Sequence, residues 1–523
     1  MQQKVFDQLR LVDLDQLARS SHALRAVAEA DGRWNALLRG SEPPQPMPHR
    51  PRLAVKDRIV AAALGPVATA ALRCALQPVS VAKTLSAILS STALFEAQLT
   101  DWQTRERLNG NGSAQRAAKA VRQVRHGQDW SLHLHGLTET LPAFVAQLTQ
   151  PQSLCLLSCS AGVPLPDNLG NMAGLEWLTL DNCRAVTTLP DSVGDLQRLR
   201  SLELPHCRSL THLPSSIGNL QSLHCLTFNS CSSLTQLPDS TGNLTGLRML
   251  LLHHCASLAR LPRSIGNLAS LVELGLNGCH ALERLPDALG NLARLRVLNA
   301  CECRKLRSLP DTLEGMSNLS VLKLNDCSNL AHLPASLGEL VSLVELGLNG
   351  CRSLTHLPNS IGRLAALQRL YLMHCDNLAY LPETLGNLTS LRDLDLTYCR
   401  SLRQLCHTLT ELVSLQRLTA GNCRSLLFLP DNLDRLTSLA QLDLQYCRDL
   451  ASLPAAVGEL TALTQLGLNG CRSLAQLPAT IGNLVGLRNL QLSASRSAAP
   501  LPAALSQLTG LWHLDLSKNR HLT

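Results

Sequence analysis

The sequence has few aromatic and few charged residues. Aromatic side chains make up 3% of the 523 residues and charged side chains 16%, whereas hydrophobic residues make up 45%. So little charge excludes a disordered tail protein and a long surface coiled coil, and so few aromatic rings leave a core of aliphatic side chains. The formal net charge of +8 is small for this length. It neither requires nor excludes an acidic partner, and we expect no nucleic acid partner.

Long apolar runs and a secretion signal are also missing. In the N-terminal third, the longest uncharged apolar stretch runs from Ile59 to Leu72, where Arg73 ends it, and this is too short to cross a bilayer. The opening segment, MQQKVFDQLRLVDLDQL, is polar and amphipathic, unlike a signal peptide. We therefore expect a cytoplasmic protein that has no membrane partner and is monomeric.

Motifs for catalysis and metal binding are absent as well. The chain has no Walker loop, no G-x-S-x-G and no H-E-x-x-H. Zinc sites need clustered cysteine pairs, and the only close pair, Cys301 and Cys303, is spaced too tightly. Cys406 is the one candidate for a reactive thiol, although no His and Asp partners accompany it. We expect no enzyme activity, no cofactor and no metal.

What the sequence does contain is a repeat of 24 residues. Its unit reads LxxLxLxxCxxLxxLPxxIGxLxx and is clearest in residues 343–366. A Leu-Pro pair keeps the same phase, except where Cys406 replaces the proline. Extending the phase places His135, Ser495 and Asn519 at the cysteine position, which gives about seventeen coils. The cysteines at this position are Cys159, Cys183, Cys207, Cys231, Cys255, Cys279, Cys303, Cys327, Cys351, Cys375, Cys399, Cys423, Cys447 and Cys471.

Each part of the unit has a physical role. The L-x-L element predicts a short strand with both leucines facing inward and the alternate residues facing outward. The cysteine predicts a small buried group that meets backbone polar atoms, and one thiol per coil makes a single file. So many free thiols fit a reducing compartment. The predicted fold is an α/β solenoid, an arc of about seventeen coils with a parallel concave sheet.

These residues resemble the leucine-rich-repeat family. The variant C-x-x-L-x-x-L-P-x-S-I-G-N-L looks like the arrays of plant disease-resistance proteins and of effectors that plant-pathogenic bacteria inject into host cells. The resemblance covers about three quarters of the chain, residues 128–523. It implies a non-enzymatic scaffold that binds a protein target on the concave face.

The residues before the repeat have a helical pattern. Apolar residues recur there mostly every three or four positions. Residues 1–41 resemble the F-box, the helical motif that docks substrate receptors onto the adaptor of a cullin ubiquitin ligase. The resemblance implies adaptor-binding roles for Leu9, Val12, Leu14, Leu17 and Trp34. Residues 42–127 form a proline-rich linker followed by a helical region that caps the array.

The F-box resemblance is incomplete, which leaves two functions open. The family's opening Leu-Pro-x-Glu helix is missing, and Leu24 stands where an aromatic residue is usual. The leading hypothesis is a substrate receptor of a cullin-type ubiquitin ligase. The alternative is a repeat scaffold or sensor whose N-terminus is only a helical cap. A bacterial effector of either kind would be secreted into the host cell.

The target-binding residues are expected six, four and two positions before each cysteine, where side chains leave the sheet. The most varied set lies in the coils from Cys375 to Cys447, flanked by Tyr398 and Tyr446. A second group, at the start of the array, is Trp177, Asp181 and Glu203. The candidates of the first set are Arg369, Tyr371, Met373, Asp393, Asp395, Arg417, Gln441 and Asp443.

Arginine directly follows the cysteine in eight coils. A stripe of this kind is either a solvated face copied with the repeats or a surface for an acidic partner or nucleic acid. The sequence favours the solvated face. The eight residues are Arg184, Arg208, Arg304, Arg352, Arg400, Arg424, Arg448 and Arg472.

Overall fold

The computed structural model describes residues 78–110, 112–127, 129–159, 165–495 and 501–519. These belong to two compact units, Met1–Leu202 and Glu203–Thr523. The F-box-like residues Leu9, Val12, Leu14, Leu17 and Trp34 lie outside the described residues, and so does the proline-rich segment 42–52.

Within the described residues, two α-helices precede seventeen short parallel strands. The helices are α1 (Pro78–Leu108) and α2 (Ala114–Arg125). The strands are β1 (Ser131–His135), β2 (Ser153–Leu157), β3 (Trp177–Asp181), β4 (Ser201–Glu203), β5 (Cys225–Thr227), β6 (Met249–Leu251), β7 (Glu273–Gly275), β8 (Val297–Asn299), β9 (Val321–Lys323), β10 (Glu345–Gly347), β11 (Arg369–Tyr371), β12 (Asp393–Asp395), β13 (Arg417–Thr419), β14 (Gln441–Asp443), β15 (Gln465–Gly467), β16 (Asn489–Gln491) and β17 (His513–Asp515).

Short 3-10 helices follow most of the strands. They are Val145–Gln147, Leu169–Asn171, Asp191–Asp195, Ser215–Asn219, Asp239–Asn243, Arg263–Asn267, Asp287–Asn291, Ala335–Glu339, Asn359–Arg363, Glu383–Asn387, His407–Glu411, Leu433–Arg435, Ala455–Glu459, Ala479–Asn483 and Ala503–Gln507. The predicted solenoid of parallel strands, preceded by a small helical region, is confirmed.

In the first unit, the two helices close the end of the repeat array with apolar side chains. Leu99 and Trp102 of α1 are fully buried, and so are Ala118 and Val121 of α2. The ring of Phe144, from the first coil, packs edge-on against Phe95 and Trp102, with centroid distances of 5.1 and 6.5 Å. The helices therefore cover leucines that an end coil would otherwise expose to water.

A buried carboxylate fixes α1 to the first coil. Glu106 is 0% exposed. Its oxygens accept the backbone N–H of Thr138 at 3.0 and 3.1 Å, the Thr138 hydroxyl at 3.1 Å and the backbone N–H of Glu139 at 2.8 Å. Such charge-assisted bonds are needed to keep an ionised carboxylate in the interior. Glu106 thus joins α1 to the first coil through four hydrogen bonds.

The first coil is shorter than the sequence repeat predicts. β1 pairs with β2 so that Leu134 lies beside Leu156. Leu137 is fully buried and takes the cysteine position, whereas His135 is exposed within the strand. Placing His135 at the cysteine position was therefore wrong. The coil is two residues shorter between this position and its Leu-Pro pair, because Pro142 lies five positions after Leu137 whereas Pro166 lies seven positions after Cys159.

In the second unit, each coil repeats one arrangement. The strands from β5 to β17 each pair in parallel with the next one, always at the same register. Leu346, Leu348 and Cys351 of one coil are all fully buried, and their equivalents stack above and below them. The 3-10 segments approach so closely that a Cβ on Gly338 would lie 2.4 Å from the Ser360 carbonyl oxygen. Glycine at this position allows the coils to stack.

A left-handed residue precedes each cysteine of the 24-residue series. In the second unit, the non-glycine residues at this position have φ between +56° and +63°. A left-handed residue costs roughly 1–2 kcal/mol. The cost is offset because its N–H continues the inter-coil hydrogen bonding, as when Tyr398 N–H donates to the Gly421 carbonyl at 2.7 Å. The turn directs the next side chain into the core.

The thiols of the 24-residue series from Cys231 onwards bind the coil before them. In the second unit, eleven cysteines donate S–H to the carbonyl oxygen 27 residues earlier, at 3.0–3.3 Å. Ser495 makes the same bond through its hydroxyl at 3.0 Å, and Asn519 makes it through its amide at 2.8 Å. The positions predicted for Ser495 and Asn519 are therefore correct.

Burial also suppresses the acidity of these thiols. It raises the pKa of Cys231, Cys255 and Cys375 to about 12. Cys406 is buried too, with φ −64° and ψ 148°, so it adopts the backbone that proline has in other coils. Burial raises the pKa of Cys406 to about 11. Because the thiolate is the reactive form, Cys406 lacks the environment of a nucleophile.

Replacing Cys351 tests the inter-coil bond. Cys351→Ala removes the S–H that donates to the Leu324 carbonyl at 3.2 Å and opens a small cavity. We expect a loss of about 1–2 kcal/mol in the free energy of unfolding. Cys351→Ser should lose less, because its hydroxyl can donate as that of Ser495 does. Urea unfolding followed by circular dichroism measures both. Equal stability of Cys351→Ala and the parent chain would show that the bond contributes nothing.

Candidate recognition surface

Each coil presents three side chains on the outer face of its strand, six, four and two positions before its cysteine. We call these positions the first, second and third columns, and the surface that they form the strand face. Because neighbouring strands pair in register, equivalent side chains lie beside one another, about 4.8 Å apart per coil. Arg369, Asp393, Arg417 and Gln441 are thus consecutive members of the first column.

Opposite charges alternate along the first column. Glu345 lies between two cations. One of its oxygens is 3.0 Å from Arg369 Nε in the first column, and the other is 3.5 Å from Nζ of Lys323, which is in the second column of the preceding coil. Arg417 binds Asp393 through Nη2 at 2.5 Å and through Nε at 3.2 Å, both to Oδ2. Asp393 is 8% exposed, whereas Arg417 is exposed. The predicted residues Arg369, Asp393 and Arg417 are therefore brought together, with their charges largely paired.

Tyr371 lies over this charged column. Its hydroxyl is 3.5 Å from Asp393 Oδ2. Burial, and then the negative charges of Asp393 and Glu345, raise the pKa of Tyr371. The bond to Asp393 raises the pKa of Arg417. Tyr371 stays protonated and Arg417 stays charged near neutrality, so this part of the face offers both an aromatic ring and fixed hydrogen-bond donors.

The second column adds carboxylates that the backbone holds in place. Asp395 Oδ1 accepts the Thr397 N–H at 2.9 Å and the Thr419 hydroxyl at 2.7 Å. Asp443 Oδ1 accepts the Gln445 N–H at 2.9 Å, and burial raises the pKa of Asp443. These bonds leave little rotational freedom, so the two carboxylates are preorganised.

The third column is a ladder of hydrogen bonds between side chains and the next coil. Asn325 Oδ1 accepts the N–H of Asn349 at 2.9 Å, and Asn349 Oδ1 accepts that of Met373 at 2.8 Å. Met373 is half-buried, as is Gln441 in the first column. Both therefore lie on the strand face as predicted, flanking the charged residues.

Neighbouring side chains lie close to the glycines of the second column. A Cβ on Gly275 would lie 2.4 Å from His253 Cε1, and one on Gly347 would lie 2.9 Å from Asn325 Oδ1. A Cβ on Gly467 would lie 2.7 Å from Asp443 Oδ1. Side chains of the preceding coil therefore fill the space that glycine leaves.

The second group of candidates is divided between the two units. In the first unit, Trp177 is 42% exposed on β3 and Asp181 ends the same strand. The neighbouring carboxylate of Glu176 is nearly buried and binds Arg198 and Arg200, each at 3.2 Å. In the second unit, Glu203 is half-buried at the end of β4.

Three functional features were not found from the sequence. Lys323 and Glu345 extend the charged surface by two coils beyond the predicted set. His374 stacks on Tyr398, with ring centroids 4.2 Å apart and an interplanar angle of 11°. The sequence does indicate Lys323 and Glu345, because they lie in the second and first columns of the two coils that precede the predicted set. The stack depends on the left-handed turn, which the repeat pattern alone does not show.

The described parts of the chain contain no group of three His, Cys, Asp or Glu side chains placed to hold a metal ion. Over the same residues, no helix combines the length and the apolar character needed to cross a membrane.

Comparison with known proteins agrees with this architecture. A family model described as "Leucine-rich repeat region" matches residues 167–259 and 311–425, whereas no curated protein matches the chain. A solved leucine-rich-repeat protein of Leptospira interrogans is 26% identical, with a TM-score of 0.51 over 71% of this chain and 86% of that chain. The Toll–Spatzle complex of Drosophila is 20% identical, with a TM-score of 0.54 over 71% of this chain and 51% of that chain. The chain has the leucine-rich-repeat fold, which supports a role in protein–protein recognition.

His253 should make the stability of the second unit depend on pH. In the third column, its Nδ1 accepts the Asn277 N–H at 3.3 Å, the role that asparagine has in neighbouring coils. Burial, followed by the charge of His254, lowers the pKa of His253 below its ordinary value of 6.5. The neutral form is therefore favoured in the folded state. Stability should be complete above about pH 6.5 and should fall as the pH drops from there towards the folded-state pKa.

The variant His253→Asn should keep the hydrogen bond and remove this part of the pH dependence. Thermal unfolding between pH 5 and 8 measures it, with His332→Asn as the control because that histidine is exposed. An unchanged pH profile in His253→Asn would show that His253 does not titrate with folding.

Proposed function

We propose that this chain is a receptor that binds a target protein on the strand face of its second unit and docks onto a cullin-ligase adaptor through residues 1–41. The repeats would hold the target, and ubiquitin transfer would depend on its high effective concentration near the ligase. The chain would supply no chemistry of its own.

One observation carries the recognition part of this proposal. Charged and aromatic side chains of the strand face are fixed by bonds between adjacent coils, including Arg417 to Asp393 and Thr419 to Asp395. A surface that is ordered before binding loses less side-chain entropy when a partner arrives. Arg and Tyr, both present here, are the residues most often found at binding hot spots. The solved Toll structure, which shares this fold, is a complex with a protein, Spatzle.

The structure of the first unit supports a separate role for residues 1–41. The first coil is already covered by α1 and α2, and Glu106 fixes α1 in place. Capping therefore does not require the F-box-like segment. That segment can serve as the adaptor site that its resemblance implies.

A second candidate is a scaffold or sensor without a ligase connection. The buried Glu106, which binds α1 to the first coil, supports it as well. For either candidate we propose a reducing, cytoplasmic location, which for a bacterial effector would be the cytoplasm of the host cell.

Binding of the purified adaptor separates the two candidates. Leu14→Asp places a charge in the apolar surface that the F-box resemblance assigns to the adaptor, so we expect it to lower adaptor affinity by at least about tenfold. Leu108→Asp is the matched control, because Leu108 is 80% exposed on α1. Isothermal titration calorimetry measures both. No binding of the adaptor by the parent chain would exclude the ligase role and leave the scaffold.

Photo-cross-linking tests the strand face independently. A photoreactive phenylalanine analogue replacing Tyr371 should form adducts with a target protein in eukaryotic lysate, because Tyr371 lies within the charged columns. The same analogue at Phe428 is the control, since Phe428 is 56% exposed but lies outside the three columns. Mass spectrometry identifies the adducts. Equal adducts at both positions would show that the strand face has no preference for the target.

A further inference from the structure

Four arginines occupy the same position in four consecutive coils of the second unit. Arg400, Arg424, Arg448 and Arg472 each directly follow a buried cysteine, and each side chain is exposed. We call these four residues the arginine row. Because neighbouring coils are about one strand spacing apart, the positions in the row are separated by about 4.8 Å.

Some cations of this unit pair with acids of the adjacent coil. Lys323 and Arg369 pair with Glu345, and Arg417 pairs with Asp393. In the arginine row, Arg400 pairs with Asp376 at 3.4 Å. Within the described residues, no ion pair is formed by the remaining three members of the row.

Like charges at neighbouring positions of adjacent strands repel each other. Arg424, Arg448 and Arg472 therefore place three positive charges in consecutive coils without an ion pair in the described part of the chain. A ligand with negative charges at a similar spacing would both relieve this repulsion and gain ion pairs.

Two tyrosines border the row on the preceding turn. Tyr446 is 47% exposed, two residues before Arg448. Tyr398 is stacked on His374, and the Arg400 guanidinium lies 5.9 Å from the Tyr398 ring centroid. Aromatic rings beside arginines are typical of protein interfaces. They indicate a partner that has apolar surface next to its acidic groups.

We propose that the arginine row and Tyr446 bind an acidic α-helix of the target protein, an inference that rests on the protein-recognition function proposed above. A helix advances about 5.4 Å per turn, so glutamates one turn apart nearly match the spacing of about 4.8 Å between coils. Over three steps the mismatch is about 2 Å, which long arginine side chains can absorb. In an extended acidic strand, side chains on one face are about 6.7 Å apart, so its mismatch grows to about 6 Å.

The probe is a synthetic helical peptide of about 20 residues, long enough to form a helix. It has glutamate at four positions one turn apart, and a second peptide has glutamine at those positions. Fluorescence anisotropy with the full chain measures affinity. We expect the glutamate peptide to bind more tightly than the glutamine peptide, and its affinity to fall as salt is added.

The double variant Arg424→Glu, Arg448→Glu should lower affinity for the glutamate peptide by at least about tenfold, because it reverses the centre of the row. The control is Arg304→Glu, Arg352→Glu. It makes the same charge change at the same position of the coil. At the equivalent position, however, the neighbouring coils carry His280, Ser328 and Asp376 instead of arginine. This control should change affinity for the glutamate peptide by less than about threefold, since it alters only the net charge of the chain. Asp449→Asn, next to Arg448, should increase affinity because it removes an exposed negative charge beside the row.

Two results would overturn the proposal. Equal losses in the two double variants would show that net charge, and not the row, attracts the peptide. Tighter binding of a single-stranded oligonucleotide than of the glutamate peptide at 150 mM salt, lost in the Arg424 and Arg448 variant, would assign the row to nucleic acid. Neither result would affect the cross-linking test, because that test concerns the strand face and not the arginine row. Circular dichroism of all variants shows that they are folded.

Discussion

The second unit depends on the hydrogen bond that each of its eleven repeat cysteines, spaced every 24 residues from Cys231 to Cys471, donates to the carbonyl oxygen 27 residues earlier. Cys351 donates to Leu324 at 3.2 Å, and Cys375 donates to Leu348 in the same way. The preceding left-handed residue makes this bond possible because it turns the thiol into the core. Since every coil is bonded to the coil before it, the strands pair in one register. That register puts the outer side chains into columns.

The candidate recognition surface follows from those columns. Residues 24 positions apart in sequence become neighbours, so Asp393 meets Arg417 and Asp395 meets Thr419. Acids on the strand face also accept backbone N–H groups, as Asp443 does from Gln445. The same register places Arg400, Arg424, Arg448 and Arg472 in consecutive coils, where the repeat provides no acids to pair with most of them. Paired charges preorganise one surface, while unpaired charges make another attractive to an acidic partner.

Much of this could be predicted from the sequence, because a strict 24-residue period leaves little choice of fold. The period identified the buried cysteines, the role of Ser495 and the strand-face columns. The period gave the wrong residue at His135. The first coil keeps the Leu-Pro phase but is two residues shorter, so the buried Leu137 takes the cysteine position. It could not show that Cys406 is buried or that Glu345 bridges two cations, since both depend on side-chain packing. The F-box-like residues lie outside the described part of the chain, so their role remains a prediction.

The rate at which each cysteine reacts in the native protein tests the thiol ladder most directly. Alkylation by iodoacetamide at pH 8, followed by mass spectrometry of each cysteine peptide, measures these rates. We expect the repeat cysteines from Cys231 to Cys471 to react only as fast as the protein unfolds, because burial and the S–H bond hold them as thiols. Cys225, which is half-buried on β5, should react much faster. Fast, uniform alkylation of all cysteines in folded protein would contradict the ladder.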